Sequence, residues 1–139
     1  MAFRARLKVR FGDIDHAGIV YYPRFVHYFH VALEEFFAGA LGRPYHRFLD
    51  EDRVGLPTVH LEIDFSSPLR FGDEIAIEVQ VLDVGRSSVR WRYTVFKADG
   101  TLAAEAQIVT VALDMDRFAT TPVPQWLRSA LEGYRTAGV

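Results

Sequence analysis

Apolar and polar residues alternate without a break at the start of the chain. Phe3, Ala5, Leu7, Val9 and Phe11 share one face, and Arg4, Arg6, Lys8 and Arg10 share the other. A period of two predicts a half-buried strand whose basic face is solvated. The period then changes. After Pro23, which suits the first turn of a helix, Phe25, Phe29, Ala32, Leu33, Phe36, Ala40 and Leu41 recur at helical spacing, and Gly42 is a fitting stop. Val26 and Phe37 widen the stripe until the helix is apolar over most of its circumference, so it is expected to be wrapped by a curved sheet. Alternation returns three times, around Val59–Phe65, Ile75–Val81 and Val89–Val95. A mostly apolar run from Leu102 to Leu113, with Glu105 and Gln107 near its middle, reads as a fourth strand after the two-residue hairpin signal Asp99-Gly100. After Pro122 and Pro124, a short helix is predicted from Trp126 to Tyr134. No internal repeat or linker divides the chain. The expected fold class is α+β: one domain over residues 1–139, with a five-stranded antiparallel sheet round one long central helix.

Composition narrows the chemistry. Half of the 139 residues are hydrophobic and 14% aromatic, enough for a core with apolar surface left for oligomer contacts. A net charge of −2 argues against a nucleic-acid partner. With no cysteine, disulfides, thiolate catalysis and thiolate zinc sites are excluded. The N-terminal residues lack the apolar run of a signal peptide, and no stretch approaches the ~18 apolar residues of a membrane span. The expectation is a cytoplasmic protein without membrane contact.

The most informative segment joins the first strand to the helix: Gly12-Asp13-Ile14-Asp15-His16-Ala17-Gly18-Ile19-Val20-Tyr21-Tyr22-Pro23-Arg24-Phe25. A carboxylate held before a helix start, where backbone N–H groups lack partners, suits attack on a polarised carbonyl. Asp-x-Asp-x-x-Gly overlaps a calcium-loop pattern, but that loop needs Glu at position 24, where Arg24 stands. Asp13 is better read as closing a turn through its side chain, and Asp15 as the chemical group.

These residues resemble the 4-hydroxybenzoyl-CoA thioesterase family of hotdog-fold acyl-CoA thioesterases. The likeness rests on Gly12-Asp13-Ile14-Asp15, Ala17-Gly18-Ile19-Val20, Tyr22-Pro23 and Phe25. It continues through Pro68-Leu69-Arg70-Phe71-Gly72-Asp73 and Gly85-Arg86-Ser87-Ser88, covering roughly residues 5 to 115. The resemblance implies hydrolysis of an acyl-CoA thioester, no cofactor, and Asp15 as the catalytic carboxylate, nucleophile or general base. It also implies a tunnel between subunits for the pantetheine arm, hence a homodimer as the minimum unit and a homotetramer as a common assembly. His16 departs from the proline these enzymes carry there, which bears on the acyl group rather than on hydrolysis.

The candidate catalytic positions are therefore Asp15, Gly18 and the backbone N–H of Tyr22, aided by the positive end of the helix dipole. The substrate-binding candidates are His16, His60, Arg86, Ser87 and Ser88, with Arg86 and the serines at a strand start where they could meet a nucleotide phosphate. His27 and His30, three apart on the helix, lack a carboxylate in ligand spacing, so no metal site is expected. No phosphate loop, dinucleotide fingerprint or serine elbow occurs. Adjacent Asp15-His16 keeps a hotdog enoyl- or hydroxyacyl-thioester hydratase as the alternative enzyme, and an acyl-CoA-binding module is the non-catalytic one.

Overall fold

The computed structural model describes residues 2–136. In chain order the elements are β1 (Phe3–Lys8), a short 3-10 turn (Phe11–Asp13), α1 (Arg24–Gly39), α2 (Tyr45–Asp50), β2 (Val54–Gly55) and β3 (Thr58–Phe65). There follow β4 (Glu74–Val84), β5 (Ser88–Lys97), β6 (Leu102–Val111), β7 (Leu113–Asp114), β8 (Ala119–Thr120) and α3 (Gln125–Glu132). The main sheet is antiparallel with strand order β1-β4-β5-β6-β3, curved round α1 as the hotdog fold requires. The short strands β2, β7 and β8 form a separate three-stranded sheet.

Alternation sets which face of the sheet meets the helix. Val89, Trp91, Tyr93 and Val95 of β5 are buried on the concave side. There the Tyr93 ring lies 5.3 Å from Phe29 and the Trp91 ring 5.9 Å from Phe36, measured between centroids. Trp91 Nε1 donates to Thr110 Oγ1 at 3.0 Å, so its burial leaves no donor unpaired. Phe36 is fully buried between Phe3, Trp91 and Tyr134, and truncating it to Ala should cost about 3–5 kcal/mol.

Three expectations need correction. The buried residues of α1, Phe25, Tyr28, Phe29, Ala32, Leu33, Phe36 and Phe37, cover about half the helix rather than most of it, and Val26 is 38% exposed. The last apolar run breaks at Ala112, where the chain leaves the main sheet for β7. A repeat does exist, in miniature: Arg10-Phe11-Gly12-Asp13 recurs as Arg70-Phe71-Gly72-Asp73. Each copy closes the same way, the Asp carboxylate accepting the Arg N–H at 2.9 and 2.8 Å and the Asp N–H donating to the Arg carbonyl at 3.0 Å. The two turns are joined by Val9 N–H to Asp73 O and Gly72 N–H to Val9 O, with Phe11 and Phe71 edge to face.

The outer strands of the main sheet are unlike. β1 carries its cations outward, whereas β3 is exposed along nearly its whole length, with Val59 61% and Phe65 51% accessible.

Candidate active site

The loop between β1 and α1 is tied at both ends. Ile14 and Val20 form an antiparallel bridge, Asp15 N–H donates to Ile19 O at 2.9 Å, and Gly18 N–H returns to Asp15 O at 3.0 Å. Gly18 takes a left-handed φ of 83°, which a residue with a Cβ would adopt only under strain. Asp15 Oδ1 accepts the Ala17 N–H at 2.8 Å, an Asx turn that fixes the side chain while the residue stays exposed. His16 and Gly18 are exposed on the same loop.

Asp13 has a different part. Its Oδ2 accepts the Arg10 N–H at 2.9 Å and the Tyr28 hydroxyl at 2.8 Å, with Arg24 Nε 3.8 Å from Oδ1. Its carbonyl accepts the Tyr21 N–H at 2.9 Å. One residue thus fastens the end of β1, the flank of α1 and the turn that enters the helix. Burial, then the Asp13 hydrogen bond and charge, push the Tyr28 phenol well above the ordinary tyrosine range, so it remains a proton donor to Asp13.

The helix start offers fewer free donors than its sequence suggests. The N–H groups of Arg24, Phe25 and Val26 already donate to the carbonyls of Tyr21, Tyr22 and Pro23. The N–H of Tyr22 donates to no acceptor among the described residues, and Tyr22 is 65% exposed. That leaves the Tyr22 N–H as an open donor at the helix start, in the turn Asp13 anchors.

Beside Tyr22 lies an apolar cavity of about 300 Å³, walled by Ile19, Val20, Phe25, Phe65 and Leu69 among others. Phe65 meets Phe25 at 5.1 Å, so this cavity opens at the β3 edge.

The remaining candidates lie elsewhere. Arg86 and Ser87 lie in the β4–β5 turn and Ser88 opens β5, at the end of β4 opposite the Asp15 loop; β4 has 11 residues, which puts roughly 30 Å between the two ends. The turn is held from α3: Arg128 Nη2 donates to Gly85 O at 2.7 Å and Arg86 O at 3.1 Å, leaving the Arg86 residue exposed. A Cβ at Gly85 would sit 2.6 Å from Ser88 Oγ, so a larger residue there would make the Ser88 hydroxyl swing away. His60 is exposed on β3, 2.7 Å from Glu62 Oε1. Within one chain neither His60 nor the turn reaches the loop of Asp15. His30 pairs with Glu34 at 3.1 Å, and no group of three metal-binding side chains occurs among the described residues.

Sequence reasoning missed Tyr28 and Arg128. Tyr28 sits one position before Phe29 on the buried stripe, and its hydroxyl gave no signal until the fold brought Asp13 to it.

Residues 9–131 match the family model of the thioesterase-like superfamily. The chain is 35% identical over 125 residues to the 1,4-dihydroxy-2-naphthoyl-CoA hydrolase of Synechococcus elongatus, covering 89% of this chain and 90% of that one. Among solved structures it is similar to the 1,4-dihydroxy-2-naphthoyl-CoA thioesterase of Synechocystis, with TM-score 0.85, 25% identity, and coverage of 94% and 96%. It is also similar to a gentisyl-coenzyme A thioesterase, with TM-score 0.83, 28% identity, and coverage of 91% and 99%. No helix among the described residues is long and apolar enough to cross a membrane.

Proposed function

The chain belongs to the thioesterase-like superfamily and is a thioester hydrolase of hotdog fold, and from that premise we propose an acyl-CoA thioesterase with Asp15 as its catalytic carboxylate. The observation that carries this reading is the pairing of an exposed, turn-fixed Asp15 with the unpaired N–H of Tyr22 on a loop closed by Asp13. Tyr22 N–H receives the oxyanion as the thioester carbonyl is attacked. Asp15 either attacks the carbonyl itself or takes the proton from the attacking water; in both routes the C–S bond breaks, the thiolate of coenzyme A leaves, and water supplies the acid's second oxygen.

The acyl group we propose is a hydroxylated aromatic one, as in the names of the relatives above. A cavity of about 300 Å³ edged by Tyr22, Phe25 and Phe65 suits a flat ring. Those relatives are hydrolases, which favours hydrolysis over hydration or binding alone.

The active unit is a homodimer paired through β3. That edge exposes Val59, Leu61 and Phe65, a row of apolar side chains beside unpaired backbone groups. β3 runs from the Arg86 end of the sheet at Thr58 to the Asp15 end at Phe65. Antiparallel pairing of two β3 strands therefore brings Arg86 of the partner subunit toward this chain's Asp15, where it would hold the nucleotide phosphates.

The test is thiol release from a panel of 2,5-dihydroxybenzoyl-, benzoyl- and alkyl-CoA esters. Free thiol is expected, fastest with the hydroxylated ring. Loss of enoyl absorbance without thiol from an enoyl-CoA would replace this reading with hydration.

A further inference from the structure

A second cavity exceeds the one beside Tyr22 in volume. It measures about 540 Å³ and lies between the free edge of β1 and the flank of α1. It shares no residue with the apolar cavity, and the only member of the catalytic loop in its wall is Asp13.

Its chemistry is divided. Arg6, Lys8 and Arg10 line it, and among the described residues no carboxylate stands within 4.0 Å of their charged groups, although Arg4 of the same strand pairs with Glu78. Leu7, Val31 and Ile75 supply apolar walls. Asp13 and Glu74 also line it, with His27 from the helix. The charge of Asp13 is already answered by Arg10 N–H, Tyr28 O–H and Arg24, so its capacity to repel an anion is largely spent. Glu74 remains as an open acceptor.

Unpaired cations, apolar walls and one open acceptor match one kind of ligand: a carboxylate on an apolar ring that carries a hydroxyl. The reaction proposed above releases such a molecule, and the apolar cavity beside Tyr22 has no Lys, Arg or His to hold its carboxylate. We propose that the β1–α1 cavity is a second site, which binds the released hydroxyaryl carboxylate and slows turnover; the identity of the ligand rests on the thioesterase reading. The carboxylate sits on Arg6 and Lys8, the ring on Leu7 and Val31, and the hydroxyl donates to Glu74. A ligand there competes for the Tyr28 hydroxyl, which lines the cavity and holds Asp13, and so loosens the loop carrying Asp15.

Two measurements test it. Equilibrium dialysis with 2,5-dihydroxybenzoate needs no catalysis. Binding is expected for the wild type, and at least about tenfold weaker for Arg6→Gln/Lys8→Gln, as loss of charge-assisted contacts worth about 1.4 kcal/mol implies. Both substituted residues are exposed, so the fold is retained. The uncharged 2,5-dihydroxybenzamide should fail to bind. In thiol-release assays the acid should lower kcat as well as raise KM, and only the effect on kcat should vanish in the double variant. No binding, equal binding by the double variant or by the amide, or purely competitive inhibition would each overturn the second site. A protein that releases no thiol yet binds the acid through Arg6 and Lys8 would retain the site and lose the thioesterase reading.

Discussion

The two ends of the main sheet are built for different work. At the loop end, Asp13 ties strand, helix and turn through hydrogen bonds of 2.8–2.9 Å, and the exposed groups beside it include Asp15 and the Tyr22 N–H. At the turn end, Arg128 pins the backbone of Gly85 and Arg86, and what is left over is a cation. One end holds the carboxylate proposed for catalysis on a closely bonded loop; the other presents charge on a short turn. Roughly 30 Å of β4 separates them, so the site proposed above is divided within one chain and needs a second chain to complete it.

Removing the chemical group at the loop end should have the largest effect. Asp15→Asn keeps the Asx turn to Ala17 but cannot attack or take a proton, so kcat should fall by at least ~10²-fold with KM little changed. Thiol-release kinetics read both quantities. A fully active variant would leave the loop end without chemistry and dissolve the contrast between the ends.

Whether the ends meet across two chains is tested by mixing. Leu61→Lys places a charge on the apolar β3 edge and should yield a monomer in light scattering, with activity lost alongside assembly. Asp15→Asn and Arg86→Ala chains co-refolded in equal amounts should reach about 30% of wild-type kcat/KM, against about 10% for the same chains kept apart, because random pairing makes half the dimers mixed and each mixed dimer has one intact site. Recovery requires the site to be composite. If the mixture shows no more than the sum of its parts, the two ends do not meet across the dimer.

The sheet and the long helix were legible because their alternation and helical spacing run for many residues. β2, β7 and β8 are two residues each and carry no period to read, while α2 has a single buried residue, Phe48, behind Pro44. That Asp13 ties the loop was foreseeable from turn chemistry, and its bonds agree with it; Asp15 closes a turn as well, through Ala17 N–H, and its chemical role is the proposal made above. The distance from Asp15 to Arg86 was not, since it depends on strand register, and neighbouring motifs in sequence need not share an end of a sheet. The twin Arg-Phe-Gly-Asp turns stood in the sequence throughout, but four residues 60 positions apart fall below any pattern that length and periodicity make visible.

At the turn end a smaller effect is expected. Arg86→Ala should raise KM for acyl-CoA by about fivefold with kcat unchanged, and added salt should weaken wild-type binding more than variant binding, because exposed phosphate contacts are screened within ~8–10 Å. If KM responds to neither, the nucleotide is held elsewhere and the turn end loses its proposed role.

The smallest effect should come from loosening the loop end without touching its chemistry. Tyr28→Phe keeps the buried ring beside Phe25 and removes one hydrogen bond to Asp13 Oδ2. A lost bond to a charged group costs about 1.5–3 kcal/mol of stability, and kcat should drop by only about threefold while KM and its salt dependence stay as they were. Alkaline stability gives a readout that turnover cannot. Burial and Asp13 raise the Tyr28 phenol above its ordinary value of 10.0, so the folded chain keeps a proton that the unfolded chain gives up as pH climbs past that value. The unfolded state then binds fewer protons, and stability must fall with rising pH. Burial raises Tyr93, beside Phe29, as well, so the variant should keep an alkaline decline of Tm, but a shallower one than the wild type. Equal slopes above pH 10 in the two proteins would mean that the Tyr28 proton is not held by Asp13, and the stiffness attributed to the loop end would need another source.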